Sequence, residues 1–312
     1  MAVQAPPVDR VAQPLSMTRR PTAGLTPAAL VLLAFFVAAT GLGAGHAVVM
    51  WLLLFVLIAV HEAGHAAAAN RLRLPVTEVV VGLGPVLARV ESSSVRVEVR
   101  LLPIVGWVEA DIPVRAPRIH RRRMAFAAAG AAASLGFAMA LVLVAYGMAR
   151  GPSSISGGDV VGAGTLTVEV AVETPALLVG SVIGIATSTH DDEEPGPGGG
   201  PPQSSESSES AETVTIIGAT AAMSNDLDDL GRIALPLWAA SLSAAIAGFN
   251  LIPAFGLDGE MILAAAADGV RARHRRAGRA LRAVVALVGL LLGVVLAVGV
   301  VRALVDDLVT LA

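Results

Sequence analysis

Long apolar runs separated by polar intervals dominate the chain, and their lengths sort them. A membrane-crossing helix needs roughly 20 apolar residues. Runs of that order occupy 27–44, 47–69, 124–149, 233–252 and 281–304, which predicts five membrane helices. A sixth apolar run, 175–189, is shorter. It could span, lie in the interface or pack on the bundle. Two stretches follow another period. Residues 95–101, VRVEVRL, alternate apolar and charged positions as a half-buried strand does. Residues 77–90, TEVVVGLGPVLARV, read as a second strand pair broken at Gly82-Leu83-Gly84-Pro85. Together they predict a small cytoplasmic β-element lying against the membrane. Residues 151–175 have some β character but are too short for a separate domain. Residues 191–210, DDEEPGPGGGPPQSSESSES, contain nothing apolar and are expected to be disordered.

Composition agrees with a chain that lives largely in lipid. Of its 312 residues 55% are hydrophobic and 15% charged, with mean hydropathy +0.72; soluble domains carry about 25% charge. There is no cysteine, so disulfides and thiolate metal sites are excluded. All 22 basic residues are arginine, a codon bias and not a chemical signal.

Charge sets the expected orientation. The 71–123 loop has ten Arg against five acids, 150–232 has two against thirteen, and 254–282 has six against three. Arg-rich loops stay inside, so the first and third intervals face the cytoplasm and the acidic one faces out. Five spans with a cytoplasmic N-terminus satisfy all three, and a sixth would break the parity, which favours a peripheral 175–189. The Pro-rich polar segment 1–26 then reads as a disordered cytoplasmic tail; a cleaved signal peptide is the alternative, against which its long polar lead counts. Residues 27–149 hold helices one to three with the β-hairpin loop 71–123, 150–232 is the acidic extracytoplasmic segment, and 233–312 holds the last two helices.

The chemistry sits in AVHEAGHAAAAN, residues 59–70, at the end of an apolar run. Positions i and i+4 share a helix face, so His61 and His65 can address one ion. Glu62 lies about 100° further round. Two neutral imidazoles holding zinc, with a carboxylate beside them to deprotonate water, is the layout of a zinc hydrolase. Chance gives only about 0.005 such motifs in this composition. Ionisable groups inside a membrane helix cost roughly 2.5–3.5 kcal/mol each and are usually functional. A catalytic zinc has three protein ligands as a rule, and without Cys the third must be His, Asp or Glu. Helix 47–69 and helix 233–252 both run inward, and FNLIPAFGLDGE (249–260) follows the second, which brings Asp258 to the depth of the histidines. Asp258 as N-cap of a helix over 259–267 is the competing reading; beside HEAGH the ligand reading is preferred. His46, His120, His190 and His274 read as solvated or interfacial.

HEAGH followed by Asn250, Pro253, Asp258 and Gly259 (N-x-x-P-x-x-x-x-D-G) resembles the site-2 protease family of intramembrane zinc metalloproteases. GLGP (82–85), LPIVGWV (102–108) and AAGAAAS (128–134) are similar to its β-hairpin and following helix, so the resemblance covers roughly 47–149 and 213–268. It implies that His61, His65 and Asp258 ligate one Zn2+, that Glu62 is the general base, and that Asn250 hydrogen-bonds the substrate or developing oxyanion. The alternative for Asn250 is to satisfy a helix end. The β-element would pair with an unwound substrate strand. There are departures: 151–232 is too short for the PDZ domain of many relatives, Glu260 stands where a second Gly is common, and Ala131 where proline is.

The resemblance therefore implies a multi-pass cell-membrane endopeptidase that cuts transmembrane segments of tethered proteins, such as anti-sigma-type factors. Two rivals are a pseudoprotease or scaffold, and a membrane-anchored zinc protease acting on loops outside the bilayer. RARHRRAGR (271–279) could suggest nucleic acid, but beside a membrane helix it is expected to meet anionic lipid.

Overall fold

The structure, a computed structural model, describes residues 44–111, 118–151, 155–187 and 231–310. The first expected helix (27–44), the tail 1–26 and the segment 191–210 therefore lie outside the described residues, apart from Ala44. The remaining four expected spans are all helical. α1 is Ala44–Arg71 and α2 is Ile119–Arg150. α3 (Gly157–Thr187), α4 (Ala234–Leu251), α5 (Asp258–Arg273) and α6 (Arg275–Thr310) follow. Among the described residues, four segments are long and apolar enough to cross a membrane: Val48–Arg71, Ile119–Arg150, Ala234–Leu251 and Arg275–Val298. The outer face of α6 carries exposed Val284, Leu287, Leu291, Val294 and Val298. Lipid, not protein, is the partner such a face fits.

Small residues let the helices approach closely. Ala138 and Val142 of α2, Ala163 and Ala171 of α3, and Ala240 and Ala244 of α4 form one buried cluster, as expected where packing and not water exclusion joins helices. Ser243 Oγ–H donates to the Ser134 carbonyl at 2.9 Å and fastens α4 to α2 across this seam.

The β character expected for 151–175 is corrected: the stretch from Gly157 on is helix. Its buried residues Ala163, Thr167 and Ala171 are four apart, a spacing that fits period two and one helix face equally well. Packing decides for the helix, because the backbone then satisfies itself against an apolar neighbour. Thr165 and Thr167 return their hydroxyls to the carbonyls of Val161 and Ala163 at 3.0 and 2.7 Å. Within the run 175–189, residues 175–187 are the second half of α3, continuous with a first half that packs on α2 and α4; residues 188 and 189 lie outside the described residues.

The β-element is larger and more deeply placed than the sequence suggests. β1 (Val76–Glu91) and β2 (Arg96–Ala110) are antiparallel, and each bends back on itself. Val81 pairs with both Gly106 and Val99, while Ala88 also pairs with Val99. The segments therefore lie side by side in the order 106–110, 76–81, 96–99, 86–91. Gly82 and Gly84, at φ 96° and 85°, make the bend in β1, a region L side chains avoid. β2 then runs alongside α1 in the same direction. Trp51 Nε1–H donates to the Leu101 carbonyl at 2.9 Å, Gly106 abuts Glu62, and Val108 and Ala110 pack on a cluster containing Ala69. From Trp51 to Ala69 the helix rises about 27 Å. The element lies along most of the length of this candidate span.

Candidate metal centre

His61 and His65 sit one turn apart on α1, both buried, with ring centroids 5.0 Å apart. Each is oriented from α2. His65 Nδ1 lies 2.8 Å from the Phe126 carbonyl oxygen. A carbonyl only accepts, so the partner assigns the proton to Nδ1, and Nε2 of the neutral ring keeps its lone pair. His61 Nδ1 faces Ser134 Oγ at 3.1 Å. Both rings thus turn Nε2 toward the same point. Gly130 makes this possible, because a Cβ there would collide with both Nε2 atoms.

The third corner comes from 197 residues further along. α4 ends at Leu251, and the chain turns through Ile252–Leu257, held by the Phe255 N–H donating to the Gly289 carbonyl at 2.8 Å. α5 then begins on Asp258. The capping alternative is not what the structure shows: the N-cap position is Leu257, no side chain caps the helix, and the Asp258 carboxylate points at the histidines. Asp258 Oδ2 lies 3.2 Å from His61 Nε2 and 3.2 Å from His65 Nε2, and the two Nε2 atoms are 3.3 Å apart.

This triangle tests whether a metal fits. Donors bound tetrahedrally at about 2.0–2.1 Å lie about 3.3–3.4 Å from one another. The observed edges of 3.2, 3.2 and 3.3 Å are close to that. A protonated His65 would satisfy one edge; a cation at the centre satisfies all three. Among the described residues it is the one His, Asp and Glu group of this kind. Divalent metal fits these residues.

Glu62 is buried as well, and its Oε2 has no hydrogen-bond partner. An orphaned carboxylate oxygen in an apolar setting is costly, and here it stands one residue from a metal-competent imidazole. The β2 backbone closes over it at Gly106, where an added Cβ would fall 2.6 Å from Oε1.

The other candidates are not in the cluster. Asn250 Nδ2–H donates to the Ile246 carbonyl of its own helix at 2.9 Å, the helix-satisfying alternative. Glu260 packs toward Gly289 of α6. His120 lies beside Gly269, and His274 is the C-cap of α5. Sequence reasoning passed over Ser134, Gly130, Gly106 and Trp51 as contributors to the site. A lone serine in an alanine run of a membrane helix was the available signal for Ser134; the glycines give no signal without the fold.

Two helix-borne imidazoles, a neighbouring buried glutamate and a distant carboxylate closing the triangle, on a chain whose described residues include four helices apolar and long enough to cross a membrane, define a candidate metal centre of a membrane protein. Comparison with known proteins makes that specific. The model of peptidase family M50, the site-2 protease family, matches residues 49–296, and the chain belongs to that family. A protein of Synechocystis named as a zinc metalloprotease is 33% identical over 102 residues, 29% of this chain and 28% of that one. One of Nostoc, named likewise, is 34% identical over 106 residues, 30% and 29%. A chloroplast protein of Arabidopsis thaliana named as a membrane metalloprotease is 32% identical over 98 residues, 28% and 22%. The matched part spans less than a third of the length of these relatives.

Proposed function

We propose that the chain is a zinc-dependent intramembrane endopeptidase acting on membrane-spanning segments of tethered proteins. The observation that carries this is the His61–His65–Asp258 triangle, whose edge lengths are close to those of a tetrahedral site and whose two histidines stand within a candidate span. When bound, zinc supplies a Lewis acid that polarises a carbonyl and acidifies water. His61, His65 and Asp258 would hold it, with Ser134 and the Phe126 carbonyl fixing the rings. Glu62 takes the proton of the attacking water on its unpartnered oxygen and passes it to the leaving amine.

Transmembrane helices hide their peptide bonds in internal hydrogen bonds, so cleavage needs local unwinding. Segment 106–110, an outer edge of the sheet beside Glu62, offers backbone groups to an unwound strand. Asn250 is assigned to the substrate side, reaching it by releasing Ile246. The Arg-rich ends of the spans are assigned to the cytoplasmic face of the cell membrane, and anti-sigma-type factors are a fitting substrate class. A third ligand that follows a membrane helix supports this reading over cleavage of loops outside the bilayer.

The test is Glu62→Gln in proteoliposomes with a model single-span substrate. Retained zinc with loss of cleavage is expected. Equal cleavage by the variant would overturn the general-base role, and a wild-type protein that binds zinc yet cuts nothing would favour the scaffold reading.

A further inference from the structure

We propose that a groove between the start of α2, the end of α5 and the start of α6 binds a phosphate oxyanion. It is a cavity of about 680 Å³ lined by Arg123 of α2, Asp268 and Arg271 of α5, and Arg275 and Arg279 of α6. It is separate from the metal centre, and the inference does not rest on the peptidase reading.

The charge balance of the lining is basic, and Arg271, Arg275 and Arg279 are exposed to whatever enters the groove. Asp268 is the one acid in the lining, and it is already shared by Arg123 at 3.5 Å and Arg282 at 3.1 Å. Arg271, Arg275 and Arg279 make no ion pair among the described residues. Arg275 and Arg279 are i and i+4 on α6, a spacing at which like charges repel. They cannot drift from Arg271, because Gly278 of α6 sits against the Arg271 backbone with no room for a Cβ. Three guanidinium groups without an ion pair among the described residues, around one groove whose two helices are held together at Gly278 and Arg271, form a site that an anion would complete.

Phosphate is the anion that the geometry favours. Guanidinium forks bind tetrahedral oxyanions two oxygens at a time, and several can share the oxygens of one phosphate. The groove lies where the spans Ile119–Arg150 and Arg275–Val298 both begin, the level of lipid headgroups. The phosphate could come from an anionic phospholipid or from a soluble phosphate, and both present the same chemistry.

The experiment uses the purified full chain in detergent. Wild type is compared with Arg271→Gln/Arg275→Gln/Arg279→Gln and with a charge-matched control, Arg71→Gln/Arg73→Gln/Arg121→Gln. Probes are phosphatidylglycerol, phosphatidylcholine and inorganic pyrophosphate. Readouts are adduct mass in native mass spectrometry and the shift in melting temperature. Wild type and control should take up phosphatidylglycerol or pyrophosphate with about tenfold or greater preference over the groove variant. Uptake of the lipid alone identifies a headgroup site, and uptake of pyrophosphate identifies a soluble ligand. Equal uptake by wild type and groove variant, or equal losses in groove variant and control, overturns the proposal. If the triple variant does not fold, Arg279→Gln alone carries the same comparison.

Discussion

Gly106 of β2 and Glu62 of α1 are in direct apposition: a methyl group on Gly106 would sit 2.6 Å from Glu62 Oε1. The strand backbone and the carboxylate therefore share one small space. Gly106→Ala should push the strand off Glu62 and lower cleavage of a membrane substrate about tenfold or more, by the scale of overpacking a closed site. Zinc content measured by elemental analysis should not change, because the proposed ligands His61, His65 and Asp258 are elsewhere. Unchanged cleavage would show that the strand does not set the position of Glu62.

Ser134 touches the site through the His61 ring. Ser134→Ala removes the hydroxyl at 3.1 Å from Nδ1 and leaves intact the bond from Ser243, which ends on the Ser134 backbone. Zinc affinity, titrated against a competing chelator, should fall about 10–100-fold, the usual cost of losing an outer-shell partner, while the melting temperature of the metal-free protein stays within a few degrees.

Asp258 tests the closure of the triangle. Asp258→Ala should abolish stoichiometric zinc binding, since two imidazoles alone leave the ion short of ligands. Asp258→Glu should restore it in part. Zinc affinity equal to wild type in the alanine variant would remove Asp258 from the ligand set.

Outside the spans, Asp159 predicts a pH effect. Ser156 donates its hydroxyl and backbone N–H to Asp159 Oδ2 at 2.6 and 2.8 Å, and the Asp159 N–H returns to Ser156 Oγ at 3.3 Å, closing the start of α3. Those bonds, and then Arg150, hold the carboxyl below its ordinary 3.8. A depressed folded-state value means stability present above the unfolded value and lost as pH falls through the folded one. The melting temperature of wild type should exceed that of Asp159→Asn at neutral pH, and the gap should close as the pH drops below about 4. A gap independent of pH would sink this assignment.

Much of the architecture was legible from apolar run length. Four of the five expected spans are helices; the fifth lies outside the described residues. Run length works here because lipid leaves the backbone no partner but itself. Local period served less well. Residues 151–175 have some β character, yet the buried positions from Gly157 on fit a helix face, and contact with α2 and α4 decides. The hairpin's alternation was legible, but not its depth, since nothing local to β2 records that Trp51 would hold Leu101 beside α1.

By itself, the sequence determined which groups the centre has available. HEAGH on one helix fixes two imidazoles on a common face because the helix repeat is rigid, and an ionisable set inside an apolar run signals function. Only the tertiary structure decided that Asp258, 197 residues from His61, reaches both rings within 3.2 Å. It also decided that Ser134 and the Phe126 carbonyl orient those rings, and that Gly130 and Gly106 leave room for them and for Glu62. Such contacts depend on how whole helices and a strand pack, and that packing is a property of all the elements together rather than of any one stretch of chain.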